Sequence, residues 1–212
     1  MGDLDGAIQA APDSCGHDSA PSDPRHPHFG ATRRRMTLTS ERLEVLLPAK
    51  AVAARVDALA ERLAPRLDDD TIGVCLLMGG LWFAADLTRS LARRGRSLAY
   101  DALWLSSYGA GRTSAGACEV LAGPRRNLAG RRVLIMDDVA DTGVSLAQAA
   151  DIVRAAGARE VLTTVFAHKP PPAPRALEPD DFAWAAPDRF LVGYGMDLGG
   201  RHRDLPYVAA VN

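Results

Sequence analysis

An α/β fold, with a mainly parallel sheet and helices on both faces, is what the sequence predicts, and three observations predict it. Short apolar runs alternate with stretches of helical period from residue 43 to residue 166. The run Ile72–Leu77 ends on Gly79-Gly80 and leads straight into a helical pattern. The run Val133-Leu134-Ile135-Met136 likewise ends in a polar loop before another helical pattern. Parallel neighbours need crossover connections and bury both faces of their sheet, which is what such alternation supplies. Ligands of open α/β sheets bind at the carboxyl ends of the strands. That rule directs attention to residues 78–80, 137–145 and 168–169.

Taken in order, residues 43–46 read as a short strand. Pro48 suits a first helical position, and Val52, Val56, Leu59 and Leu63 then recur on one face until Pro65. Ile72–Leu77 is a buried strand, and Phe83, Leu87 and Leu91 mark a second helix that stops at Gly95. Residues 98–105 form a third strand, residues 106–115 a loop, and residues 117–121 a short strand before the turn at Pro124. After strand 133–136 and polar loop 137–143, Leu146, Ala149, Ala150 and Val153 define a third helix, which ends at Gly157, where a left-handed cap is favoured. Residues 160–166 are the next strand. Ahead of these, residues 1–35 hold Pro12, Pro21, Pro24 and Pro27 and few large apolar side chains. That mix cannot offset the entropy of ordering, so a disordered tail over 1–35 and a folded domain over 36–212 are expected. His17, His26 and His28 fall in this tail without cysteines or helical spacing and read as solvated rather than metal-binding.

The 212 residues are 47% hydrophobic and 24% charged, an ordinary globular balance. Twenty-five basic residues against 26 acidic ones leave no global field for nucleic acid or an anionic membrane, so neither is an expected partner and a charged ligand must be held locally. Cys15, Cys75 and Cys118 are odd in number and form no Cys-x-x-Cys pair, which argues against a disulfide framework and a structural zinc site. No apolar run approaches the roughly 18 residues that span a bilayer. Residues 1–35 lack a secretory core and carry five aspartates, unlike a transit peptide, so the expected address is cytoplasmic. Lys50 and Lys169 are the only lysines.

The most informative segment is Asp137-Asp138-Val139-Ala140-Asp141-Thr142-Gly143-Val144-Ser145-Leu146. Thr142, Gly143 and Ser145 lie where a loop enters a helix, so hydroxyls, backbone N–H groups and the helix dipole make a phosphate cradle. Asp137, Asp138 and Asp141 would repel that phosphate unless they serve another part of the ligand. A ribose 5-phosphate satisfies both: its phosphate occupies the cradle while its hydroxyls, and any bridging cation, face the carboxylates. The plainer alternative is an acidic loop that caps a helix N-terminus.

This segment resembles the phosphoribosyl pyrophosphate signature of the type I phosphoribosyltransferases, in the form found in the hypoxanthine-guanine branch. Leu76-Leu77-Met78-Gly79-Gly80 resembles that branch's pyrophosphate loop, Ser106-Ser107-Tyr108-Gly109 the start of its mobile lid, and residues 187–197 with 203–207 its base-binding hood. The resemblance implies transfer of the 5-phosphoribosyl group from phosphoribosyl pyrophosphate to hypoxanthine or guanine, giving IMP or GMP and pyrophosphate, with Mg2+ and a homodimeric or homotetrameric assembly. It assigns Asp141 as the catalytic base at N7. The activated sugar falls to Met78, Gly79, Gly80, Asp137, Asp138, Asp141, Thr142, Gly143, Val144, Ser145 and Arg203. Lys169 becomes the donor to the purine 6-oxo group, Phe190 the stacking ring, and Leu191 and Asp197 the readers of the other edge. Ser107 and Tyr108 become lid contacts, and Asp137, Asp138 and Asp197 metal ligands. The family often places a cis peptide in the pyrophosphate loop, so Met78-Gly79 is the expected bond.

Asp137 stands where many relatives use Glu, Met78 and Val144 where polar or basic residues are common, and Leu198 where an aromatic is common. Two rivals stay open. A non-catalytic regulator of the same fold would sense phosphoribosyl pyrophosphate without needing Lys169 and Phe190. A receiver-like signalling domain also combines an acidic pair, Thr and Lys, but Lys169 follows Asp137 too closely for its intervening units.

Overall fold

The computed structural model describes residues 42–106, 118–170 and 174–212. The expected tail over 1–35 and the lid residues Ser107 and Tyr108 lie outside them. The elements are β1 (Leu43–Leu47), α1 (Ala49–Leu63) with a 3-10 turn at Ala64–Arg66, β2 (Ile72–Leu77), α2 (Leu81–Arg93), β3 (Ala99–Ser106) and β4 (Glu119–Ala122). They continue with β5 (Arg132–Ala140), α3 (Val144–Ala155), β6 (Glu160–His168), β7 (Asp181–Ala185), β8 (Leu191–Val192) and β9 (Val208–Val211).

Six strands form the main sheet in the order β4-β3-β2-β5-β6-β7. All neighbours are parallel except the edge strand β4, which runs antiparallel to β3. Alternation along β5 explains why helices cover both faces. Leu134 and Met136 join the α1 and α2 side with Val56, Leu59, Phe83 and Leu87, while Val133 and Ile135 join the α3 side with Leu146, Ala149 and Val153. Burying a side chain of this size contributes about 1.5–3 kcal/mol. Phe166 of β6 is fully buried and meets Phe83 edge-on at 5.9 Å and Tyr194 at 4.7 Å. The expected α/β class and its two covered faces are found.

Two boundaries differ notably from the sequence reading. Pro48 precedes α1 in extended conformation instead of opening it. The strand expected at 133–136 runs on to Ala140, because pairing with β6 continues to Ala140↔His168. The acidic pair therefore sits on a strand end rather than in a loop. A second sheet, β1-β9-β8, joins the start of the described chain to its end. Of its three strands the sequence pattern marked only the first. Among the described residues no helix is long and apolar enough to cross a membrane.

Candidate active site

Asp137 and Asp138 close the carboxyl end of β5, the central position of the parallel sheet. The Asp138 N–H donates to Asp137 Oδ1 at 2.9 Å, and the Val139 N–H donates to Asp138 Oδ1 at 2.8 Å. Burial, then the charge of Asp138, pushes Asp137 well above the usual carboxylate range. Burial also raises Asp138, against the opposing pull of the Asp137 hydrogen bond and the Arg203 charge. Two half-buried carboxyls held side by side at the cavity wall resist double ionisation and favour a cation beside them.

The pyrophosphate-loop glycines are required by space. A Cβ on Gly80 would lie 2.7 Å from the Leu76 carbonyl oxygen and 2.8 Å from that of Met136. A Cβ on Gly79 would overlap the Asp138 carboxylate, and one on Gly195 would overlap the Gly79 carbonyl. Backbone, carboxylate and hood turn are thus stacked in direct contact, which only glycine permits. The cis peptide is Leu77-Met78, not Met78-Gly79. Gly79 is needed for close approach to Asp138 rather than for that bond. Tyr194 anchors the same turn to α2 by donating to Asp86 Oδ2 at 3.0 Å.

At the mouth of α3, Gly143 adopts φ 72° and sets the chain to enter the helix at Val144. The helix N-terminus then faces a cavity of about 480 Å³, lined by Met78, Gly79, Asp137, Asp138, Asp141, Thr142, Gly143, Val144, Ser145, Asp197 and Arg203. Of the residues expected at the activated sugar, Gly80 alone does not line it. Gly80 caps α2 beneath the loop.

A second cavity, of about 190 Å³, is lined by Lys169, Phe190, Leu191 and Met196 together with Asp138, Val139, Asp141 and Asp197. Asp138, Val139, Asp141 and Asp197 line both cavities, so the two meet at the acidic residues. Phe190 is 54% exposed, which separates a stacking platform from a core ring. Lys169 Nζ lies 3.4 Å from Asp141 Oδ2 and 3.7 Å from Asp188 Oδ1. A cation and a carboxylate side by side on one wall match the adjacent acceptor and N–H of a 6-oxopurine edge.

Asp137, Asp138 and Asp197, the expected metal residues, all line the larger cavity. Among the described residues no three His, Cys, Asp or Glu side chains are placed to hold a metal ion. Asp197 is taken by Arg203 Nη2 at 2.6 Å and by the Gly200 N–H at 2.6 Å, so its charge is already balanced. Arg203 also donates to the Gly195 carbonyl, which fixes the hood turn.

Sequence reasoning missed several residues of the site. Met196 and Val139 line the smaller cavity, and Asp188 approaches Lys169. Arg175 is the largest omission. Its side chain is fully buried, and it donates to the carbonyls of Asp141 at 2.9 Å and Ala140 at 3.2 Å and to that of Lys169. No local pattern in the sequence marks it.

A family model described as the phosphoribosyl transferase domain matches residues 44–197. The chain belongs to the phosphoribosyltransferase family. It is 30% identical over 172 residues to hypoxanthine phosphoribosyltransferase of Escherichia coli K12, covering 80% of this chain and 95% of that protein. It is also 30% identical over 176 residues to the hypoxanthine-guanine phosphoribosyltransferase of Aquifex aeolicus, covering 82% and 97%. These place it with the hypoxanthine-guanine branch. Among solved structures, a hypoxanthine phosphoribosyltransferase from Staphylococcus aureus matches with TM-score 0.71 and 25% identity, covering 80% of this chain and 91% of that one. The type I phosphoribosyltransferase fold expected from the sequence is the fold found.

Proposed function

We propose that this phosphoribosyltransferase acts in purine salvage, moving the 5-phosphoribosyl group from phosphoribosyl pyrophosphate to a 6-oxopurine, hypoxanthine or guanine, and releasing pyrophosphate. The observation that carries the reading is the meeting of the two cavities at Asp138 and Asp141. One side offers amides, hydroxyls and a helix N-terminus for a phosphorylated sugar. The other offers Lys169 and an exposed Phe190 for a base.

Base and sugar would then be held with N9 facing the anomeric carbon, which lowers the entropic part of the barrier. Lys169 donates to the 6-oxo group, Phe190 stacks on the ring, and Asp141 takes or holds the N7 proton as N9 attacks. Asp137 and Asp138 face the ribose hydroxyls, and Arg203 meets the pyrophosphate. The raised, paired carboxyls Asp137 and Asp138 fit magnesium, which uses one or two protein carboxylates and completes its shell with waters and phosphates. When bound, magnesium would neutralise charge on the departing pyrophosphate. Ser107 and Tyr108 belong to the segment that would exclude water.

The reading extends to a cytoplasmic enzyme that binds neither nucleic acid nor membrane. The same reading takes the enzyme as a homodimer or homotetramer.

The test is an assay of hypoxanthine, guanine and xanthine with phosphoribosyl pyrophosphate and magnesium. The expected result is purine-dependent release of pyrophosphate with one of the first two. Asp141→Asn should lower turnover about 10²–10⁴-fold, the usual weight of a general base, while leaving phosphoribosyl pyrophosphate affinity nearly intact. No release with any purine would refute the enzyme reading and leave the sensing regulator. Near-normal turnover in the variant would remove Asp141 from the proton step.

A further inference from the structure

We infer that Arg175 is a positioning residue that sets Asp141 and Lys169 opposite each other, so that the pair reads a purine edge. This rests on the proposed transfer reaction. Asp141 follows the end of β5 and Lys169 follows the end of β6, and each is free to swing unless its backbone is held. The Arg175 side chain is fully buried between them. Nε donates to the Asp141 carbonyl at 2.9 Å. Nη2 donates to the carbonyls of Ala140 at 3.2 Å and of Lys169. Nη1 is paired with Glu178 at 2.9 Å and lies 2.8 Å from His168 Nε2.

The planar fork thus uses all of its N–H groups, three of them on the carbonyls of the strand ends that carry the two purine-facing residues. An ammonium has three donors at one point and cannot span these carbonyls. The neighbouring backbone completes the clamp. The Ala176 N–H donates to the Thr142 carbonyl at 3.0 Å, and a Cβ on Gly143 would lie 2.6 Å from the Leu177 carbonyl oxygen. Residues 175–177 therefore press on the outside of the phosphate loop while its inside faces the cavity. Positioning errors near 1 Å at a reacting pair cost rate steeply, which gives a residue that never touches substrate a kinetic role.

The test uses the full chain as wild type, Arg175→Ala and Arg175→Lys, with Arg132→Gln as a control for losing an ion-paired arginine far from the strand ends that carry the site. In Arg175→Ala, kcat should fall at least about tenfold and the purine KM should rise, while the KM for phosphoribosyl pyrophosphate stays within about threefold. Ethylguanidinium should restore part of kcat in Arg175→Ala and do nothing to wild type, and Arg175→Lys should not recover the loss. Hydrogen exchange supplies a readout that needs no turnover. Amides of residues 140–141 and 168–169 should exchange faster in Arg175→Ala, with 72–93 unchanged. An inactive wild type refutes the proposed reaction. Unaltered exchange in both strand-end segments refutes the clamp, and so does an active variant whose kcat and purine KM per folded molecule match wild type.

Discussion

In the proposed reaction Asp137 serves binding at the expense of stability. Its folded-state pKa is raised, first by burial and then by Asp138, so its ionised form is disfavoured in the ligand-free protein. The stability this group contributes is present below the unfolded value, 3.8, and is lost as pH rises through the raised folded value. Asn keeps an oxygen for the Asp138 N–H but carries no charge. Asp137→Asn should therefore melt above wild type at pH 7.5, and the gap should close as the pH approaches 4. Turnover should drop at least about tenfold, because the ribose loses a charged acceptor. Melting curves from pH 4 to 8 check this, and a variant less stable than wild type at neutral pH would contradict it. At this scale the sequence was informative wherever a residue acts through its own side chain within a local motif. Asp141, Thr142 and Ser145 line the larger cavity, and Lys169 and Phe190 line the smaller one. Arg175 acts through the carbonyls of three residues on two other elements, and nothing local in the chain announces that.

At the scale of elements, α1 and α2 are locked together by a polar clamp as well as by Val56, Leu59, Phe83 and Leu87. Asp57 of α1 receives Arg94 at 2.8 and 2.9 Å, Ser90 at 2.6 Å and Arg93 at 3.3 Å, all from α2 or its cap. The Arg94 hydrogen bonds, then Ser90, hold the Asp57 carboxyl far below its ordinary value of 3.8. A depressed acid contributes stability that is present above 3.8 and is lost as pH falls through the lower folded value. Asp57→Asn should accordingly melt below wild type by a constant margin from pH 8 to pH 5, and the margin should shrink below about pH 4. A margin independent of pH down to 2.5 would mean the charge is not what joins the helices. Helix periodicity made α1, α2 and α3 legible, since each buries one stripe. The last residues of β5 were not, because Asp137 and Asp138 are poor strand formers whose extended conformation is imposed by the partner β6. The short strand β8 and the turns of 193–201 follow no period at all, being shaped by contacts with α2, the pyrophosphate loop and β9.

On the scale of the whole molecule, the proposed sugar site rests mainly on the parallel sheet, and the three-stranded sheet contributes one wall of the proposed base site through Leu191. β9 is the middle strand of that small sheet, pairing Leu43–Leu47 on one side and Leu191–Val192 on the other. The Val211 N–H also donates to the Phe190 carbonyl at 3.0 Å, so the stacking ring depends on the last strand of the chain. The sequence pattern could not show that residues 43–47 would pair with residues 208–211, since a pairing across most of the chain leaves no local trace. This division predicts a separable loss. A chain ending at Tyr207 should bind phosphoribosyl pyrophosphate within about threefold of wild type by calorimetry, because Thr142 to Ser145 and the β5 end rest on the main core. Its purine KM should rise at least about tenfold, because Phe190 and Leu191 lose the strand that orders them. Ala210→Pro, which removes one N–H from the centre of the small sheet, should give a weaker version of the same split. Equal weakening of both ligands in the two variants would mean that sugar and base sites stand or fall as one cooperative unit, and the separate construction inferred from the topology would have to be given up.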